Sequence, residues 1–250
     1  MKMKGCRKPA RRVFGEILLA VFILSVAGTV SVDARSAESA KAGHSVTKHT
    51  MKRDGHTLAY TATAGFIPLS DKETGSPAGE IFFVYYRKND GREDVSRPVT
   101  FAFNGGPGAA SMYLHLAALG PKTIPRSADG TALLPPPYTL RDNPNTLLDF
   151  TDLVFIDPIG TGYSRAAPGV DPRRFWGVRE DVASITDFVF SFLTEQGRML
   201  SPVFIAGESY GGVRGAGLAR SLQDGGLYPV GLMMISPALD LQNIQWSALG

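Results

Sequence analysis

The sequence predicts an α/β fold built on a mostly parallel β-sheet. From residue 98 onward, short apolar runs of strand length alternate with longer runs whose apolar residues recur at helical spacing. This alternation is typical of a parallel sheet, because the chain usually returns through a helix to start each parallel strand. The predicted strands are 98–104, 153–156, 203–206 and 230–235, and the predicted helices are 111–119, 179–195 and 213–222.

Two earlier strands complete the predicted sheet. Residues 56–66 and 79–87 alternate in part between apolar and polar positions, and the Gly- and Pro-containing segment 75–79 indicates a turn between them. We therefore expect an antiparallel opening pair. Residues 122–145 are rich in proline and polar residues, which indicates a long loop region before the second parallel strand.

The first 34 residues have the pattern of an export signal. A basic start precedes the apolar run 17–26, and small residues follow near position 34. This run is shorter than the roughly 20 residues that span a bilayer, which favours a cleaved signal over an uncleaved anchor or a cytosolic helix. Arg11 and Arg12 also resemble a twin-arginine signal, so the Sec and twin-arginine routes both stay open. We expect a periplasmic or secreted protein without membrane attachment after cleavage.

The mature chain divides into a short segment and one domain. Residues 35–52 are polar and unpatterned, so we expect a mobile N-terminus in which His44 and His49 are solvated rather than metal ligands. Residues 53–250 then form a single α/β domain of ordinary globular composition, with 44% hydrophobic and 20% charged residues over the whole chain.

Composition excludes several function classes. Outside the first 34 residues the chain has 20 basic and 21 acidic residues, so bulk charge does not predict nucleic-acid binding. The single cysteine, Cys6, lies in the export signal, which leaves the mature chain without disulfides or cysteine metal sites. An exported chain of this size without disulfides is typical of a bacterial envelope. No motif predicts a metal, a cofactor or an oligomeric state.

The stretch G-E-S-Y-G at 207–211 fits the nucleophile elbow, a sharp strand-to-helix turn that lifts a serine hydroxyl above a sheet. The flanking glycines let such a turn close without side-chain clashes. The predicted strand 203–206 and helix 213–222 provide the expected context on either side. These residues therefore predict that Ser209 is a nucleophile, against the alternative of an ordinary glycine-rich turn.

The segment N-G-G-P-G at 104–108 is the candidate for the oxyanion hole. It follows a predicted strand and precedes a predicted helix, and glycine allows a ligand to approach the backbone closely. Nucleophile-elbow enzymes take one oxyanion N–H from the residue after the serine and one from an early strand–helix loop. A phosphate-binding loop is the poorer interpretation, because neither a Walker nor a dinucleotide motif is present.

Four motifs together resemble the serine carboxypeptidase family. They are N-G-G-P-G at 104–108, L-G-P at 119–121, P-I-G-T-G-Y-S at 158–164 and G-E-S-Y-G-G at 207–212. Their order and spacing are similar to the family's over about residues 101–235. The resemblance implies an α/β-hydrolase fold and a serine-type carboxypeptidase, an enzyme that acts on peptides with a free C-terminus.

The resemblance also implies roles for particular residues. Ser209 would be the nucleophile, and the backbone N–H groups of Gly106 and Tyr210 would form the oxyanion hole. Asn104, Gly105 and Glu208 would bind the substrate, with Asn104 and Glu208 holding its C-terminal carboxylate. A glutamate can bind a carboxylate only if the two share a proton, which explains the acid preference of such enzymes.

Several positions depart from the family's pattern. Ala102 occupies the place of a usual tryptophan, Ala109 that of a cysteine, and Asp157 that of a glutamine. The acidic partner expected for Glu208 is replaced by Ala118. We therefore expect carboxylate recognition to be weakened or rearranged and the pH optimum to move toward neutral. The departures at Ala102 and Ala118 make an esterase or acyltransferase on this scaffold an alternative.

The largest departure is the missing base. A triad on this fold follows the order Ser, Asp or Glu, then His, yet all four histidines precede Ser209. His115 lies on the apolar predicted helix, where a packed or capping role is expected. The residues therefore predict the N-terminal portion of a longer enzyme, which would not be catalytic by itself because its serine lacks a base. The alternative is a non-catalytic remnant that keeps the fold.

Overall fold

The computed structural model describes residues 43–53, 55–89, 95–127, 129 and 134–239. The predicted export signal and residues 35–42 lie outside this part. The described strands are β1 (Ser45–Arg53), β2 (His56–Ser70), β3 (Pro77–Lys88), β4 (Val99–Phe103), β5 (Lys122–Thr123), β6 (Arg141–Asp142), β7 (Asp152–Ile156), β8 (Arg165–Ala166), β9 (Val203–Glu208) and β10 (Gly231–Ile235). The described α-helices are α1 (Met112–Leu114), α2 (Val178–Glu195) and α3 (Tyr210–Asp224).

The main sheet has the order β1-β2-β3-β7-β4-β9-β10, with β8 pairing with β3 outside this path. Strands β7, β4, β9 and β10 run parallel, whereas β1, β2 and β3 form an antiparallel extension. β4 and β7 are buried along their whole length, as their largely apolar sequences predict. The α/β architecture and the antiparallel opening pair are confirmed.

The expectation of a mobile segment at 35–52 is wrong for residues 45–52. These residues belong to β1, which pairs with β2 from Ser45 opposite Ala64 to Arg53 opposite His56. Met51 is buried, and the His49 ring stacks on Tyr60 with 5.2 Å between centroids. The apolar pattern is faint because an edge strand buries few of its residues and keeps polar and charged ones exposed.

Helices α2 and α3 cover one face of the sheet. The apolar side of α2 inserts Phe188 and Phe192 against Phe83 and Phe101, with edge-to-face ring contacts. This packing is the one predicted from the helical spacing of the apolar residues in α2. Among the described residues, no helix is long and apolar enough to cross a membrane.

A single helix was predicted over 111–119, but the structure has two short pieces. The α1 turn passes into a π-helix at His115–Leu119, which ends with the Gly120 N–H donating to the His115 carbonyl at 3.1 Å. A β-carbon on Gly120 would lie 2.2 Å from that carbonyl oxygen, so the wider turn closes only because residue 120 is glycine. Short π-helical segments are frequent at functional sites.

A buried ion-pair cluster joins strands at the amino ends of β4 and β7. The Asp152 carboxylate is fully buried and accepts hydrogen bonds from Arg97 Nε and Arg198 Nη1, each at 2.8 Å. Arg198 also donates to the Arg97 carbonyl. This cluster lies at the strand ends opposite the glycine-rich turns, so it supports the sheet rather than the candidate site.

Candidate active site

Ser209 occupies a strained turn between β9 and α3. Its backbone angles are φ 56° and ψ −122°, a conformation that a non-glycine residue rarely adopts. Such a residue costs about 1–3 kcal/mol and persists only where its surroundings hold it. Here the Ser209 N–H donates to the Ile235 carbonyl at 2.9 Å, and its carbonyl accepts from Gly212 and Ala238. The predicted strand–turn–helix geometry is confirmed.

The glycines of the elbow are required by close backbone contacts. A β-carbon on Gly207 would lie 2.0 Å from the Gly211 carbonyl oxygen, and one on Gly211 would lie 2.9 Å from the Phe103 carbonyl oxygen. No larger residue fits either place without moving the backbone. The turn can therefore present Ser209 only with glycine on both sides.

The glycine-rich loop after β4 lies directly against the elbow. A β-carbon on Gly105 would be 2.4 Å from the Tyr210 nitrogen and 2.6 Å from the Glu208 carbonyl oxygen. Gly106, at φ +99°, then turns the chain away. The structure thus brings together the two backbone segments that the sequence assigns to the oxyanion hole.

Asn104 and Glu208 are joined by a hydrogen bond at the ends of neighbouring parallel strands. Asn104 Nδ2 donates to Glu208 Oε2 at 3.0 Å, while Asn104 Oδ1 accepts from the Leu114 N–H at 3.0 Å. Asn104 is 2% exposed, so both halves of its amide are held in place. The amide therefore fixes the orientation of the Glu208 carboxylate.

These side chains open onto a cleft of about 470 Å³. Its polar lining is formed by Asn104, Gly106, Glu208 and Ser209, and its apolar lining by Ala109, Tyr113, Leu114 and Ala118. Gly105 and Tyr210 lie behind this lining, and the Tyr210 side chain is 5% exposed. Of the predicted site residues, four line the cleft and two support it from beneath.

The sequence analysis missed a buried ion pair under the site. Arg214 of α3 is 1% exposed; its Nε contacts both Asp181 carboxylate oxygens, at 3.1 and 2.9 Å, and its Nη1 donates to the Asn104 carbonyl at 2.7 Å. The Tyr210 hydroxyl donates to Asp181 at 3.2 Å. Burial raises the pKa of Asp181, while the charge of Arg214 opposes that rise.

This ion pair links both halves of the candidate site, because Arg214 holds Asn104 and Asp181 holds Tyr210. The sequence offered one indication of this pair. Arg214 is the one arginine on the inner face of the predicted helix after the elbow, where the other residues are small or apolar. A buried arginine needs a carboxylate partner, and only packing of α2 against α3 reveals which one it is.

None of the four histidines lines the Ser209 cleft. The His115 ring stacks on Phe155 at 4.5 Å, and its Nε2 is hydrogen-bonded to the Tyr86 hydroxyl at 2.6 Å. Desolvation lowers the pKa of His115 to about 4. The predicted packed role is confirmed, and a base with this pKa would be weak at neutral pH.

Asp157 has a structural position beside the glycine-rich loop. Its carboxylate accepts the Ser111 N–H at 2.8 Å, and a β-carbon on Gly162 would overlap it. Burial raises the pKa of Asp157, and the hydrogen bonds from Ser111 and Tyr163 oppose the rise. Among the described residues, no group of three or more His, Cys, Asp or Glu side chains could hold a metal ion.

Comparison with known proteins places these motifs in one family. A model of the serine carboxypeptidase family matches residues 54–226. The pheromone-processing carboxypeptidase KEX1 of Saccharomyces cerevisiae is 32% identical over 162 residues, which cover 60% of this chain and 20% of that protein. A carboxypeptidase Y homolog of Arthroderma benhamiae is 32% identical over 141 residues, covering 55% of this chain and 25% of the relative.

A solved structure shows the same likeness in three dimensions. The crystal structure of the prohormone-processing carboxypeptidase Kex1(Δ)p from Saccharomyces cerevisiae matches with a TM-score of 0.56 and 26% identity. The match covers 70% of this chain and 38% of the solved chain. The chain thus spans about a fifth to a quarter of the curated relatives' length and about two fifths of the solved one.

Proposed function

Because the chain belongs to the serine carboxypeptidase family and has the α/β-hydrolase fold, we propose that it carries the nucleophile and oxyanion site of a peptide-trimming hydrolase. The enzyme would release C-terminal residues from peptides through an acyl-enzyme on Ser209. The observation that carries this proposal is the strained Ser209 turn pressed against the glycine-rich loop. Such strain is maintained where it positions a reacting group.

The proposed reaction begins with attack of Ser209 Oγ on the carbonyl carbon of the last peptide bond. An ester bond to the serine forms, the C–N bond breaks, and the departing amine takes the proton that the serine loses to a base. The N–H groups of Gly106 and Tyr210 would stabilise the negative oxygen of the intermediate. Tyr210 begins α3, so the positive end of the helix dipole supports the same oxygen.

The proposed carboxylate site consists of Asn104 and Glu208, with Gly105 shaping the loop between them and the elbow. Asn104 Nδ2 donates to Glu208 Oε2, and an ionised Glu208 would repel a second carboxylate. Binding of a free C-terminus would therefore need a proton shared with Glu208 or a rearranged contact through Asn104.

The proposed enzyme needs a general base, and none of the four histidines, all within the described residues, lines the Ser209 cleft. We propose that the base comes from outside the printed sequence. We also propose that residues 1–34 direct export, so that the domain acts in a periplasmic or secreted location.

A fluorophosphonate, which reacts with activated serines, tests the central proposal. In the protein made from its complete reading frame, Ser209 should be labelled, and the S209A variant should not. The 250-residue chain alone should remain unlabelled. Absence of label on the complete protein would favour the non-catalytic alternative, and labelling of the short chain would contradict the external base.

An esterase or acyltransferase is the second candidate, favoured by Ala102 of β4 and by Ala118 in the cleft lining. These small apolar residues stand where the family resemblance predicts a tryptophan and an acid. A peptide with a free C-terminus and the same peptide with a C-terminal amide separate the candidates. A carboxypeptidase should trim only the free acid, whereas hydrolysis of simple esters without trimming of either peptide would support the alternative.

A further inference from the structure

A second cleft lies on the other side of the glycine-rich loop from Ser209. It has a volume of about 350 Å³, at the low end of the range of small-molecule sites. Its walls come from the loop at Pro107 and Gly108, the turn after β7 at 158–161, and the residues before α2, Phe175 and Trp176. The two clefts share one loop, since Gly106 lines the first and Pro107 the second.

Trp176 forms an aromatic wall that is 63% exposed. Its backbone N–H donates to the Arg173 carbonyl at 3.1 Å, which fixes the residue just before α2 begins. A β-carbon on Gly160 would be 3.6 Å from the indole nitrogen, so the ring edge lies over the turn after β7. Trp176 therefore lines the cleft while most of its surface stays open to a ligand.

The polar part of the lining is the buried pair of Arg214 and Asp181. The Arg214 side chain is only 2% exposed, yet its hydrogen bonds to described residues use Nε and Nη1 and leave Nη2 available. Nη2 is not a fully enclosed atom, so it can donate a hydrogen bond into the cleft to a ligand that brings an oxygen to it.

The charges of the lining restrict the ligand to an uncharged acceptor. Arg214 and Asp181 form one ion pair, and the other lining residues are uncharged. An anionic ligand would gain from Arg214 but be repelled by the adjacent Asp181 carboxylate. A carbonyl oxygen can accept from Nη2 without that repulsion.

We propose that this cleft binds an aromatic residue within a peptide, with the ring on Trp176 and an amide carbonyl on Arg214. An internal residue has amides on both sides and no charge, as the lining requires. Ser209 does not line this cleft, so binding there is measurable whether or not the protein hydrolyses peptides.

Ligand-observed saturation-transfer NMR with N-acetyl-L-phenylalanine amide tests the proposal. The S209A background prevents turnover. From the ligand's size we expect a dissociation constant of about 1 mM. The W176A variant should bind roughly tenfold more weakly, because it removes the aromatic wall from an exposed position where folding is unaffected. The control Y228A removes an aromatic residue that is 71% exposed and outside the cleft, and its binding should match the S209A parent.

Two further ligands test the ligand class. N-acetylglycine amide lacks the ring and should give no saturable signal, and N-acetyl-L-phenylalanine carries a negative charge and should bind more weakly than the amide. The proposal is overturned if the phenylalanine amide does not bind, or if W176A binds it as well as the parent does. Equal or tighter binding of the free acid would overturn the uncharged class.

Discussion

Acidification should destabilise this protein through His115. Desolvation lowers the pKa of this imidazole from 6.5 to about 4 in the folded state. The folded protein binds this proton less readily than the unfolded chain does. The contribution of His115 to the free energy of unfolding is therefore fully present above pH 6.5 and is lost as the pH falls toward 4. That interval corresponds to about 3 kcal/mol of unfolding free energy.

Urea denaturation of the wild type and H115Q at pH 7, 5 and 4 measures this contribution. Glutamine does not titrate, and its side-chain amide can still pair with the Tyr86 hydroxyl that contacts His115. Carboxylates titrate in both proteins, so the difference between the two pH dependences isolates His115. We expect the wild type to lose about 3 kcal/mol more than H115Q between pH 7 and 4. H49Q, which changes an exposed histidine of β1, is the matched control and should follow the wild type.

An NMR titration gives the independent measurement. A His115 pKa near 6.5, or parallel pH dependences for wild type and H115Q, would refute the reasoning. Either result would mean that solvent reaches the imidazole, and His115 would again be a candidate base.

The remaining predictions concern the loop, the ion pair and the pH optimum. In the urea denaturation assay, G105A should lower the free energy of unfolding by about 1–3 kcal/mol, because the new β-carbon overlaps the elbow, and it should abolish phosphonate labelling. Gly108 has open space around it, so G108A should cost only the backbone strain at φ +100°, about 1–2 kcal/mol. R214M should lower the free energy of unfolding by about 3–5 kcal/mol, because it leaves the buried Asp181 carboxylate unpaired. R220M breaks an exposed ion pair and should lower it by less than about 1 kcal/mol. Equal losses in the two variants would contradict a special role for the buried pair. The pH–rate profile of the complete enzyme on a free-acid peptide should peak nearer neutral than about pH 4–5, because the described partner of Glu208 is an amide; a sharp acidic maximum would contradict this.

Local patterns predicted most of the fold. The strands β4, β7 and β9 are short apolar runs, whereas α2 and α3 are longer segments with helical spacing, so their positions followed from run length and spacing in the sequence. The position of β1 did not follow from the sequence, because most of its residues are polar and exposed. Its strand conformation depends on pairing with β2, which is a tertiary contact. The helix predicted over 111–119 was likewise altered by one glycine contact.

The candidate site divides in the same way. By itself the sequence determined the elbow and the glycine-rich loop, because these turns need glycine at fixed positions whatever surrounds them. Tertiary structure alone decided that Arg214 reaches Asn104 and Asp181, that His115 is packed against Phe155, and that a second cleft opens beside Trp176. These depend on contacts between residues far apart in the chain, which local residue spacing does not encode.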